Sequence, residues 1–250
     1  MLAAIRDFAE NYPDDKAAII ATNEVIPNLP ELWILFLFWD GPEPPAGTFD
    51  NFINIGPLMN TCETQAYSTL ISAQDDQVIT GQIYEATNEM SPLPDEAAGP
   101  EVLKSYYDHF HAVADAHAAT PNLLAVMAMQ PIPKRLAQKA RQNGGDLLDL
   151  DDSVDRILFE FNMAYDGETA DPEVDKGMAE LHSGMHDRIR GFIDDGTLPD
   201  AYLPLFMNDA NFQQDYFSRL RPEIHQFAID TRDKYDPDGF FRDRTNMWKP

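Results

Sequence analysis

Apolar positions recur along this chain with two periods, and each period points to an element. Leu2, Ile5, Phe8 and Ala9 fall at helical spacing, so the chain opens on a helix. Val102, Tyr106, Phe110 and Val113 form one stripe of a helix over Val102–Ala118. Glu173–Asp194 is the clearest helix: Val174, Met178, Leu181, Met185, Ile189 and Phe192 recur at intervals of four and three. Phe217, Leu220, Ile224, Phe227 and Thr231 predict a last helix, and Ala66–Ala73 and Ile132–Arg141 predict two short ones. Strand-like runs cover Lys16–Ile26, Leu32–Trp39, Gln77–Thr87, Asn122–Gln130 and Val154–Tyr165. Leu32–Trp39 reads as a buried strand, paired as a hairpin with Lys16–Ile26 across the turn Asn28-Leu29-Pro30. Prolines mark Gly41–Gly47 and Met90–Pro100 as loops, and Pro131 is expected to end the strand before it. Gly196–Asn211 is a long connection.

Hairpins interleaved with helices predict an α+β fold: an antiparallel sheet with helices packed on one face. The other face is then free to cover something else. No internal repeat breaks the pattern, so 1–250 is expected to form a single domain. With 44% apolar residues in 250, the chain is able to bury on the order of 70% of its unfolded surface.

Charge removes several function classes. The net charge is −25, and the 18 Lys and Arg are scattered, so a basic stripe for nucleic acid is absent. The same charge is repelled by an anionic membrane. Leu32–Trp39, the most apolar run, is too short to span a bilayer. The opening residues lack a basic stretch followed by an apolar run, so no signal peptide is expected; a soluble protein fits, with its compartment open. Cys62 is the only cysteine, which rules out an internal disulfide; it reads as a small packed thiol.

Most chemical motifs fail on spacing. His182 and His186 share a helix side, but Ser183 stands where a zinc protease has Glu, and no third ligand is evident. They read as ordinary surface residues, and no metal site is expected. His109 and His111 diverge on their helix. Asp151-Asp152-Ser153 lacks the spacing of a calcium loop, and the acidic run Asp149–Asp155 reads as a solvated turn. Gly-x-Ser-x-Gly is absent, as is GxGxxG; Asn143-Gly144-Gly145 is too short and too acidic in context to cradle a pyrophosphate. Alternation in Ile157–Met163 is more informative. Phe159 and Phe161 share one strand face, whereas Glu160 and Asn162 share the other. Gln130 is the polar residue near the end of its own strand.

The chain closes on Lys234-Tyr235-Asp236-Pro237-Asp238-Gly239-Phe240-Phe241. Pro237 and Gly239 stop a helix and turn the chain, Asp236 bonds its own backbone, and Phe240 and Phe241 are expected to pin the tail onto the core. This wording resembles the C-terminal end of FAD-linked oxidases of the berberine bridge enzyme-like group, within the vanillyl-alcohol oxidase superfamily. The resemblance extends through Asp15–Ile20, Phe52–Leu58, Ala66–Leu70, Met129–Pro133 and Asn143–Leu150, nearly the full chain. Asp146 replaces a usual Asn and Asp149 a usual Gly.

The resemblance implies that 1–250 is the substrate-binding domain of an FAD-dependent oxidoreductase acting on a small organic alcohol, sugar or secondary metabolite. Its free sheet face would cover the flavin and substrate. The FAD-binding half, absent from this chain, would be a partner in cis or in trans, and the chain alone would be silent. Oxidation then needs a base facing the flavin. Glu160 is the candidate base, with Gln130 and Asn162 orienting substrate; Asn211 and Tyr216 are candidate cofactor contacts. The rival reading is a non-enzymatic α+β module that uses the free face to bind a partner or to form a homodimer. An acidic ligand-binding protein without redox chemistry is a third.

Overall fold

The computed structural model describes residues 1–73, 80–244 and 250. In chain order its helices are α1 (Leu2–Glu10), α2 (Asp50–Ile53), α3 (Tyr67–Ala73), α4 (Gly99–Ala116), α5 (Lys134–Gln142), α6 (Asp171–Asp194), α7 (Pro222–Tyr235) and α8 (Phe240–Arg244). The strands are β1 (Ala17–Val25), β2 (Leu32–Trp39), β3 (Ile83–Pro92), β4 (Leu124–Ile132) and β5 (Arg156–Tyr165). They form one antiparallel sheet in the order β2-β1-β4-β5-β3. The α+β architecture is therefore the expected one.

Period-two alternation sorts each strand into a core side and an open side. Ile157, Phe159, Phe161, Met163 and Tyr165 of β5 are all buried in the main core, with Ala125, Met127 and Met129 of β4 and Ala17, Ile19 and Ala21 of β1 beside them. Helices α1, α4 and α6 pack on this side. The stripes read from the sequence are the ones buried: Val102, Tyr106, Phe110 and Val113 on α4, and Val174, Met178, Leu181, Met185 and Ile189 on α6. Tyr106 meets Phe159 edge-on at 5.3 Å between centroids, and Phe110 stacks near Phe161 at 6.2 Å. Each such buried aromatic contributes roughly 2–3 kcal/mol.

Several expectations are corrected. β2 is an edge strand, half-exposed along most of its length rather than buried, because it pairs on one side only. β4 runs through Pro131 to Ile132. Pro131 lies beyond the last β1–β4 pair, Ala21 with Met129, so its missing N–H breaks no bond on that side. β3 likewise continues to Pro92, which an edge strand tolerates. Positions 77–79 of the strand expected there lie outside the described residues.

The expected last helix is split. Phe217–Arg219 is a 3₁₀ turn, and α7 starts only at Pro222, since Arg221 before the proline is extended (φ −58°, ψ 143°). Ala228 is the buried residue of α7, and Phe227 is 65% exposed. Phe240 and Phe241 are exposed and pack on each other rather than on the core. Their turn does form as expected: Asp236 accepts from the N–H groups of Phe240 and Phe241 at 2.7 and 2.9 Å. Cys62 is exposed, not packed, because residues 53–69 around it are exposed throughout and reach no core.

Candidate substrate face of the sheet

Glu160 and Asn162 lie on the open side of β5, and the register brings Gln130 of β4 to them. Ala128 stands opposite Glu160, so Gln130 is the diagonal neighbour. Gln130 Nε2 donates to Glu160 Oε2 at 3.1 Å, and Asn162 Nδ2 donates to Glu160 Oε1 at 2.8 Å. All three residues are half-buried. One carboxylate is thus held between two amides on the side of the sheet away from α1, α4 and α6. Such bonds fix its rotamer.

The open side has three zones. Toward β2 it is apolar: Ile34, Phe36 and Phe38 are half-exposed, and Ile20 of β1 is 37% exposed. The middle holds Glu160 and its amides. Toward the far end of β5, α5 and the loop after it cover the sheet, with Met90, Ala137, Leu150 and Leu158 forming a second small core.

The segment after α6 closes the β3 edge. Asn211 Nδ2 donates to Ala86 O at 3.2 Å, and Gln214 Nε2 donates to Asn88 O at 2.7 Å. Gln214 Oε1 accepts from Thr87 Oγ1 at 2.7 Å and from Asn88 N at 3.3 Å. Side chains thereby satisfy backbone groups that an edge strand otherwise leaves open. Asn211 is buried, and its side-chain oxygen also accepts from Gln213 N at 3.0 Å. Tyr216 is buried in a third small core with Leu205 and Leu220, and burial pushes its phenol up to about 12. Both residues therefore sit on the segment that closes the β3 edge, and the Asn211 amide is engaged by backbone groups.

Two groups of charges that sequence reasoning missed hold this segment in place. Glu89 of β3 is 1% exposed; Arg219 reaches it with two bonds, 3.2 and 2.9 Å, and His186 Nδ1 lies 3.4 Å away. Burial alone raises this carboxyl, but the bonds from His186 and Arg219 and their charges bring it below the usual range. The field of Glu89 also reaches His182, whose imidazole is lowered chiefly by burial. These two histidines flank a buried carboxylate rather than open surface. The second group centres on Arg156, also 1% exposed, which donates to Asp151 Oδ2 at 2.7 Å, Val154 O at 2.9 Å and Tyr202 O at 3.3 Å. Arg221 pairs with Asp149 and Asp151 and lies 4.5 Å over the Tyr202 ring. No sequence periodicity marks such residues; only the strand register shows that β3 turns acids toward the helices.

Asp209 is a further omission. It ends the 3₁₀ turn Met207–Asp209 and is half-buried; burial, and then the charge of Glu160, push its carboxyl up to about 6. Among the described residues, no group of three or more His, Cys, Asp or Glu is placed to hold a metal ion. None of the described helices is long and apolar enough to cross a membrane.

No family model matches the chain. It is 35% identical over 241 residues to an uncharacterized FAD-linked oxidoreductase of Arthroderma benhamiae, covering 96% of this chain and 48% of that protein. It is 20% identical over 241 residues to an FAD-dependent monooxygenase of Aspergillus calidoustus, covering 95% and 44%. Among solved structures it resembles 6-hydroxy-D-nicotine oxidase from Arthrobacter nicotinovorans, with a TM-score of 0.63, 12% identity, and coverage of 98% of this chain and 51% of that one. Berberine bridge enzyme from Eschscholzia californica gives a TM-score of 0.51 at 12% identity, covering 100% and 50%. The structural likenesses show the fold, and the chain spans about half the length of the curated relatives it matches. The chain is therefore similar in sequence, over nearly its full length, to part of an FAD-linked oxidoreductase, and its fold is the one found in about half of berberine bridge enzyme.

Proposed function

We propose that the chain is the substrate-binding domain of an FAD-dependent oxidoreductase that oxidises a small organic alcohol, sugar or secondary metabolite. The observation that carries this reading is Glu160, held by Gln130 and Asn162 on the open side of the sheet. A carboxylate with a fixed rotamer, beside a half-exposed apolar strip, suits a base that takes a proton from a bound small molecule.

The residues present fit one part of the cofactor and not the other. Ile34, Phe36 and Phe38 offer half-exposed apolar surface against which a planar ring would lie. Nothing in the chain offers the glycine-rich turn that a pyrophosphate needs. The dinucleotide is therefore assigned to an FAD-binding domain outside this chain, in cis or in trans, and the chain alone is expected to be silent. When bound, the flavin supplies the acceptor for the substrate hydride. Glu160 takes the proton, Gln130 and Asn162 keep its oxygens aimed at the substrate, and Asn211 and Tyr216 hold the bordering segment.

The test is Glu160→Gln in the protein paired with its FAD-binding domain. Turnover is expected to fall by about 10²–10⁴-fold, with flavin content unchanged. Full turnover in that variant would remove Glu160 from the chemistry.

A further inference from the structure

One hydroxyl joins two carboxyls on the helix side of the sheet. Tyr165, the last residue of β5, is fully buried; its Oη lies 2.8 Å from Asp171 Oδ1 and 3.1 Å from Glu85 Oε1. Asp171 is the first residue of α6. Glu85 belongs to β3, two residues from Ile83, which stands opposite Tyr165, so Glu85 and Tyr165 leave the sheet on the same side. The other Glu85 oxygen, Oε2, lies 3.5 Å from Asn211 Nδ2, which also donates to Ala86 O at 3.2 Å. Gln213 Nε2 donates to Asp175 O, one turn into α6, at 2.9 Å. The cluster thus gathers β3, β5, the start of α6 and the segment that closes the β3 edge.

A tyrosine hydroxyl carries one hydrogen, and an ionised carboxylate only accepts. Both contacts are of hydrogen-bond length, so with both carboxyls ionised one contact would set two oxygens together with no hydrogen between them. The hydroxyl hydrogen stays on Tyr165, because burial, then the bonds to Asp171 and Glu85, push the phenol up. The shorter contact, to Asp171, takes that hydrogen. The contact to Glu85 is completed when Glu85 is the acid and donates its own hydrogen to Tyr165 Oη.

We propose that Glu85, Tyr165 and Asp171 form a hydrogen-bond chain, Glu85 O–H to Tyr165 Oη and Tyr165 O–H to Asp171, that latches the start of α6 and the segment at Asn211 to β3 and opens when Glu85 loses its proton to solvent. The latch is independent of the role given to Glu160. The groups facing Glu85 are Tyr165 from β5, Asp171 and Asp175 from α6, and the neutral Asn211 from the segment after it. Nearby cations are engaged elsewhere: Lys176 by Glu173 and Glu180, and Arg219 by Glu89. Burial acts most on the Glu85 carboxyl and raises it; the charges of Asp175 and Asp171 add to this against the bonds from Tyr165 and Asn211, and the balance lies above the usual range.

The experiment is a carboxyl ¹³C and side-chain amide ¹⁵N NMR titration of the 250-residue chain from about pH 3 to about pH 8, with Asp171→Asn beside the parent. In the parent, the Glu85 midpoint is expected above the ordinary glutamate value of about 4.3, and the Asn211 amide signal is expected to move with it. Asp171→Asn is expected to lower the Glu85 midpoint by about one pH unit, because a neighbouring charge is gone and the Tyr165 hydroxyl is free to turn to Glu85. A Glu85 midpoint at or below the ordinary value, or one that Asp171→Asn leaves in place, overturns the chain. An Asn211 amide that does not follow Glu85 overturns the latch. Should Asp171→Asn not fold, Glu85→Gln decides, since the introduced amide donates to Tyr165 at every pH. The folded Glu85 carboxyl is raised, so ionising it opposes folding as pH rises from its unfolded value through its folded midpoint. Glu85→Gln is therefore expected to raise the Tm at about pH 8 and to leave it unchanged at about pH 4; an equal change at both overturns the proposal.

Discussion

Arg219 and Glu89 show what one residue contributes to holding the site's border. Glu89 is nearly sealed from water, so removing Arg219 strips its buried carboxylate of the guanidinium that holds it by two bonds. Arg219→Ala is expected to lower stability by about 3 kcal/mol or more in urea unfolding. Because the folded Glu89 carboxyl is held below its ordinary value, its contribution is full above the unfolded pKa and is lost as pH falls through the folded one. Asp209 has the opposite sign. Its carboxyl is raised to about 6, so ionising it in the folded state opposes folding as pH rises from its unfolded value through that midpoint. Asp209→Asn is therefore expected to raise the Tm at neutral pH and to leave it unchanged near pH 4, where the parent is largely protonated; a rise of equal size at both values would contradict the assignment. Of these residues, Glu160, Asn162 and Gln130 were legible because alternation along a strand is a property of sequence. Glu89 and Asp209 were not, since an acid looks the same on paper whether water or a helix faces it.

Among the elements, α6 lies close against α4, and two glycines make that approach possible. A Cβ on Gly184 would stand 2.4 Å from Cε1 of His109, whose ring is buried and bonded to Leu181 O at 3.1 Å. A Cβ on Gly177 would meet His117 and Met163 at 3.2 Å. Gly184→Ala is expected to cost about 1–3 kcal/mol by thermal or chemical unfolding, because the His109 ring has nowhere to move. Gly191, in the same helix, has nothing within 4 Å of its would-be Cβ. Gly191→Ala is expected to stabilise by up to about 1 kcal/mol through helix propensity. Equal effects of the two substitutions would remove the packing explanation. The apolar stripes of α4 and α6 were readable at 3.6-residue spacing, but the helix over Phe217–Thr231 was not. Its apolar residues do recur, yet Pro222 breaks the element and Phe227 faces outward. Periodicity says that a face is apolar; it does not say that the face is covered within this chain.

For the molecule as a whole, a net charge of −25 acts on every folded and unfolded form. Self-repulsion is greater in the compact state, so raising ionic strength is expected to raise the Tm, with most of the gain reached as the Debye length shortens to about 8 Å. Exposed apolar residues mark two parts of the molecule. β2 is an eight-residue apolar edge strand, and Phe212, Phe227, Phe240 and Phe241 are exposed on the C-terminal segment. A long apolar edge is a hazard in a protein that stands alone and an interface in one that does not.

The sequence by itself determined the kinds of elements, the apolar side of each strand and of the two long helices, the family wording at the C-terminus, and the polar set Gln130, Glu160 and Asn162. Those properties depend on residue type and spacing along one element. Only the tertiary structure decided that β2 lies at an edge, that Asn211 and Gln214 close the β3 border, and that Asn88 holds the backbone of Phe206. Each of these depends on which strands are neighbours, and β3 and the residue 206–214 segment meet across more than a hundred residues of chain. Contacts of that separation are set by how the whole core packs, not by any local pattern.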